Sequence, residues 1–192
     1  MEETEKPITP EESLTIITQM MTRARQNLSS GGSFYFIFWG VVVGCGNMAQ
    51  FLIDLLTDYP HPYAVWLMII PAVIVSTIYS IKKKNNTRLN SSFERIYGDI
   101  WWFIFGVMML IILFGYQVNY QISPLIMLLS ALGTFITGRM TKFKPLQIGG
   151  FILIATAATS FLLPFQYQPL VAALGITLGN TIPGLQLKAI GR

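Results

Sequence analysis

Lysine and arginine alternate along this chain in a way that fixes how it can fold. Lys6, Arg23 and Arg25 precede the first long apolar run. Lys82, Lys83, Lys84, Arg88 and Arg95 lie between the second and third runs, Arg139, Lys142 and Lys144 between the fourth and fifth, and Lys188 and Arg192 after the sixth. The three intervening connections, residues 57–62, 118–122 and 164–168, contain none. The basic-side segments are also the longer ones, so length favours them somewhat. The strict alternation carries the inference: basic residues stay on the cytoplasmic side of a membrane, and loops that cross it lose them.

A water-soluble domain is excluded by composition. Hydrophobic residues make up 53% of the chain and charged residues 11%, where a soluble surface needs about a quarter of the residues charged. The formal net charge of +4 is therefore no footprint for nucleic acid. Its cations flank apolar runs, and topology with some affinity for anionic lipid headgroups accounts for them. The fold class expected is all-α: a polytopic membrane helix bundle of about six transmembrane helices, preceded by a cytoplasmic amphipathic helix. The spans are read at residues 34–56, 63–81, 100–117, 123–138, 147–163 and 169–187. A helix needs about 20 residues to cross the hydrocarbon, so the fourth and fifth read as short, standing upright, thinning the bilayer or entering it partway. Residues 1–32 form a tail and 33–192 the bundle. The tail is polar where a signal peptide would be apolar, so the first span is expected to act as an uncleaved signal. The location expected is the inner (cytoplasmic) membrane, multi-pass, with both termini cytoplasmic.

Aromatic residues mark the same two faces. Tyr35, Trp39, Tyr79, Tyr97, Trp101 and Trp102 fall at the basic ends of the spans, and Tyr59, Tyr63, Trp66, Tyr116, Tyr120 and Tyr167 at the others. Tyr and Trp favour these depths because each ring has an apolar body and a polar tip.

In the tail, Thr9-Pro10-Glu11-Glu12 reads as a helix start, with Thr9 as N-cap, Pro10 in the first turn and Glu12 as the capping-box acid. Leu14, Ile17, Met21, Ala24 and Leu28 follow at alternating three- and four-residue steps. They give one apolar stripe on a helix over about residues 10–29 that is too polar to span, and that suits a cytoplasmic protein partner or a second copy.

The first span carries Gly40, Gly44, Asn47, Phe51 and Asp54 on one helical face, with Gln50 beside them. Polar residues inside a membrane avoid lipid, so Asn47, Gln50 and Asp54 are candidates for a polar path; interhelical packing and hydrogen bonding is the alternative. Asp99, read as the start of the third span, would favour the positive end of its helix or pair with Arg139 as an ion pair or gate. Asn180, Pro183 and Gly184, after the Gly175/Gly179 pair, are candidates for a helix break in the sixth span. Cys45 is read as a small packing residue.

Catalysis is not expected. One cysteine and one histidine leave no thiolate or histidine metal set, and no Gly-rich phosphate loop precedes a Lys-Ser/Thr pair. His61, between two prolines in a tight outer turn, does not suit a general base. Neither a cofactor nor a metal is implied, and the partners expected are membrane lipids, other copies of the chain and the protein at the tail helix, with no nucleic acid.

Phe38-Trp39-Gly40, Lys142-Phe143-Lys144-Pro145-Leu146, Gly149-Gly150, Ile182-Pro183-Gly184 and the tail helix resemble an uncharacterised group of small six-span membrane proteins from Bacteroidetes. The resemblance spans nearly the whole chain and implies the fold; no activity comes with it. Two functions follow from the residues: a small oligomeric transporter or channel with its path along the first span, or a non-transporting sensor, scaffold or accessory subunit acting through the tail helix. The topology has a direct test. On a Cys45→Ser background, a membrane-impermeant maleimide applied to intact cells should label a cysteine placed at Tyr120 and spare one placed at Lys84; the opposite pattern would invert the reading.

Overall fold

The computed structural model describes residues 9–27, 32–86 and 92–190, and no strand occurs among them. Helix α1 (Pro10–Asn27) begins as its sequence demands. The Thr9 hydroxyl accepts from the Glu12 amide at 3.2 Å, and the Glu12 carboxylate accepts from the Thr9 amide at 2.9 Å, completing the capping box. Of the stripe on this helix, Leu14 and Ile17 are exposed; the side chains of Met21 and Ala24, and Leu28 altogether, lie outside the described residues.

Six helical segments are long and apolar enough to cross a membrane. They comprise α2 (Ser33–Leu56); a 3₁₀ turn over Pro62–Met68 running into α3 (Ile69–Asn86); α4 (Ser92–Leu113); α5 (Ile122–Met140); α6 (Lys144–Leu162); and a composite sixth span in which α7 (Gln168–Ile176) and α8 (Ile182–Ile190) flank a π-helical turn. In the second span the tight 3₁₀ geometry gives way to α one turn before Pro71, whose ring crowds the carbonyl four residues back.

Two boundaries differ from the sequence reading. α5 and α6 have 19 residues each, or about 28 Å of helix, enough to cross a core of about 30 Å upright. The fourth and fifth spans are therefore not short. α4, in contrast, begins at Ser92 and ends at Leu113, so Tyr116 and Gln117 belong to the turn that follows. Asn119 and Tyr120 in that turn have φ of 50° and 58°, a left-handed backbone that no helix continues.

α2, α5, α6 and the sixth span form the packed interior. Half of the sixth span is buried, against 11% of the second and 6% of the third, so α3 and α4 lie outside this group and turn their aliphatic and aromatic side chains to the surroundings. Side-chain contacts show which helix ends meet. Phe36 of α2 packs with Phe143, Leu146 and Leu187, and Tyr97 and Trp101 join them. Phe34 stacks on Tyr79 with ring centroids 3.8 Å apart. The ends next to Lys82, Arg139, Lys142, Lys144 and Lys188 are thereby gathered on one side. At the opposite side the Trp66 indole donates to Gln50 Oε1 at 2.6 Å, and Gln168 donates to Gln121 at 2.9 Å. The two aromatic belts read from the sequence thus fall at opposite ends of the bundle.

α5 and α6 are joined by a short left-handed turn. The Phe143 amide donates to the Gly138 carbonyl at 2.9 Å and the Lys142 amide to Arg139 at 3.2 Å, the paired closure that caps many helices. Lys142 occupies the left-handed position with φ of 50°, where glycine is usual, and Phe143 anchors the turn in the apolar cluster. A non-glycine residue pays about 1 kcal/mol for that backbone. Lys142→Gly should therefore raise the unfolding free energy in mixed micelles by about 0.5 kcal/mol, net of glycine's looser unfolded chain; a loss of stability would show that the lysine side chain matters more than its backbone.

Candidate functional site

The sixth span carries an irregular turn, and a buried polar side chain of α5 reaches it there. Pro183 cannot donate a backbone hydrogen bond to the Gly179 carbonyl. Between α7 and α8 the chain widens into a π turn over Thr177–Thr181, closed by the Ile182 amide donating to the Thr177 carbonyl. Such turns recur at functional positions in helices because they expose backbone groups and re-aim side chains. The Gly179 carbonyl meets Gly149 of α6 so closely that a Cβ at Gly149 would coincide with the oxygen. Across the turn, Gly40 of α2 leaves room for the Thr181 side chain, which a Cβ at Gly40 would displace.

Hydroxyl and amide side chains are buried in the same interior. Thr134 of α5 is fully buried and donates to Asn180 Oδ1 at 2.8 Å. Ser130, Thr137 and Thr141 lie on the same face of α5 and are buried. Thr137 and Thr141 bond back to carbonyls of their own helix, as do Thr156 of α6 and Thr177. Two buried hydroxyls, Ser160 and Thr181, have no partner among the described residues. The result is a polar seam held mainly by local hydrogen bonds, with Thr134–Asn180 as its cross-helix link. It has the chemistry of helix association in lipid. It has neither a nucleophile–base pair nor, among the described residues, three His, Cys, Asp or Glu grouped to hold a metal.

The sequence-derived candidates are distributed unevenly around it. Asn47 is buried and donates to the Val43 carbonyl of its own helix at 2.9 Å. Gln50 accepts from Trp66. Asp54 is exposed near the end of α2, so the three residues do not converge on one enclosed space. Asp99 lies well inside α4, which begins at Ser92; the macrodipole acts over the first turn only, and the reading of Asp99 as a helix-start residue is corrected. Asp99 and Arg139 are both exposed and no ion pair joins them. Asn180 lies within the widened turn, and Pro183 and Gly184 are buried in the first turn of α8; the break is a change of helical pitch, with the backbone still coiled. Cys45 is exposed, which corrects its reading as a packing residue: it faces out of α2, away from the Gly40–Gly44 side. His61 Nδ1 and the Tyr63 hydroxyl are 2.6 Å apart at the rim.

The seam residues Ser130, Thr134, Thr137 and Thr141 are absent from the sequence reading. Their signal was present as a four-three-four spacing, the same kind of stripe that singled out α2. No protein-family model, curated protein or solved structure matches the chain. Thr134→Val, Asn180→Leu and the double variant, compared by unfolding in mixed micelles, should show a coupling of about 1 kcal/mol; strictly additive losses would remove that bond from the account.

Proposed function

We propose that this integral membrane protein is a non-transporting module, a scaffold or accessory subunit, that lies in the inner membrane with its basic end in the cytoplasm and pairs with other copies of itself through α1. The observation that carries this reading is the exposure of Leu14 and Ile17 on a helix whose threonines are satisfied internally. Thr15, Thr18 and Thr22 each donate to the carbonyl four residues back, which leaves the apolar stripe as the unsatisfied face. Positions 14, 17, 21, 24 and 28 follow an a-d-a-d-a register, the seam of a two-stranded coil. Tethering in a membrane raises the effective concentration of such short helices toward one another. The polar groups of α2 support the same choice over a conduit, since Asn47 and Gln50 spend their hydrogen bonds inside the bundle.

The competing reading is transport along Asn47, Gln50 and Asp54. It requires a wetted route to those residues, and a cation- or proton-coupled flux that Asp54→Asn abolishes. The proposal is tested by disulfide cross-linking in native membranes on a Cys45→Ser background. Ile17→Cys should link two copies within minutes of mild oxidation, and Thr15→Cys, on another face of α1, should do so at least about tenfold more slowly because its side chain lies off the seam. Equal rates at the two positions, or no linkage at either, would overturn pairing through α1.

A further inference from the structure

An open groove of about 470 Å³ runs between α2, α3 and α8, lined by Ser33, Phe34, Ile37, Phe38, Val41 and Val42, with Tyr79 and Lys188. We infer that this groove holds one acyl chain of an anionic phospholipid from the leaflet at the basic end of the bundle, with Lys188 binding the headgroup phosphate. The inference is independent of pairing through α1.

Three observations support it. First, the groove has the length of one leaflet. Its lining on α2 runs from Ser33 to Val42, about 14 Å along the helix axis, against half of a hydrocarbon core about 30 Å thick. Secondly, its polarity is graded in the sense a lipid needs. Helix α8 runs antiparallel to α2: Gly184 abuts Phe36 and Thr181 abuts Gly40, which sets Lys188 level with Ser33. Tyr79 stacks on Phe34 at the same level. The cation and the aromatic hydroxyl therefore stand at the interfacial end, and the deeper part of the lining, Val41 and Val42, is aliphatic. Thirdly, the charge is supplied from more than one helix. Lys82 is exposed one turn beyond Tyr79 on α3, on the side of that helix that Tyr79 occupies. Basic pockets between membrane helices at the interface select anionic headgroups.

Val41 is exposed, so filling the groove at that position leaves the packed interior untouched. The full-length protein, purified in mild detergent, is titrated with phosphatidylglycerol or with phosphatidylcholine of the same acyl chains, and retained lipid is counted by native mass spectrometry. Wild type should retain phosphatidylglycerol about fivefold more strongly, the factor one lysine supplies near an anionic surface. Lys188→Gln should remove most of that preference, Val41→Trp should reduce retention of both lipids, and Lys144→Gln, a cation of the same end outside the groove, should leave the wild-type pattern. Equal retention of the two lipids by wild type, an unchanged preference in Lys188→Gln, an equal loss in Lys144→Gln, or full retention by Val41→Trp would each overturn the assignment. Displacement of the lipid by millimolar glycerol 3-phosphate alone would assign the cation to a soluble phosphate and overturn it as well.

Discussion

The architecture depends on how helices can adhere when their surroundings are as apolar as their own side chains. In lipid, burying leucine against leucine gives no hydrophobic advantage over leaving it in the acyl chains, so association rests on close backbone approach and on polar groups that find partners. The four inner helices meet this condition where α6 and the sixth span touch through Gly149 and Gly179, and where Thr134 reaches Asn180. α3 and α4 do not meet it. They are the most apolar of the six spans and the least buried, as a lipid-facing helix should be.

The widened turn in the sixth span follows from the same constraint. Pro183 removes one backbone donor, and in a membrane no water replaces it. The chain answers with a π turn, and Gly149 of α6 lies against the Gly179 carbonyl. Bringing a second helix to that carbonyl requires glycine on both sides, which is why the sequence carries Gly149 and Gly179 at the level of the proline. The unpartnered hydroxyl of Thr181 and the space left by Gly40 lie on the other flank of the turn. The crossing rests on close backbone approach, with Thr134–Asn180 as a cross-helix hydrogen bond beside it.

Much of the fold was legible in the sequence because its signals are one-dimensional. Cation placement, apolar run length and aromatic flanks each depend on position along the chain and on depth in the membrane, and these two coordinates nearly coincide in a span. The capping box at Thr9 and Glu12 was readable for the same reason, being a contact over three residues. The interior site was less legible because it depends on which helix faces which. Asp99 read as a helix start because Ser92 to Gly98 looked like loop, yet the helix forms there and carries Asp99 past the reach of its dipole. Cys45 read as a small packing residue, but one residue turns the helix by about 100° from buried Gly44 and places it outside. Ser130, Thr134, Thr137 and Thr141 were overlooked because hydroxyls that bond to their own helix look innocuous until a neighbouring helix presents Asn180 to one of them.

The close crossing of α6 with the sixth span, rather than apolar burial, holds the bundle together. The most direct measurement is the unfolding free energy in mixed micelles of Gly149→Val beside Gly106→Val. Gly106 lies on α4, where an added Cβ would meet nothing within 4 Å, so its valine should change stability only by the small helix-propensity difference, a gain of well under 1 kcal/mol. Gly149→Val should cost about 3 kcal/mol or more by forcing the two backbones apart. Equal effects from the two substitutions would contradict the account.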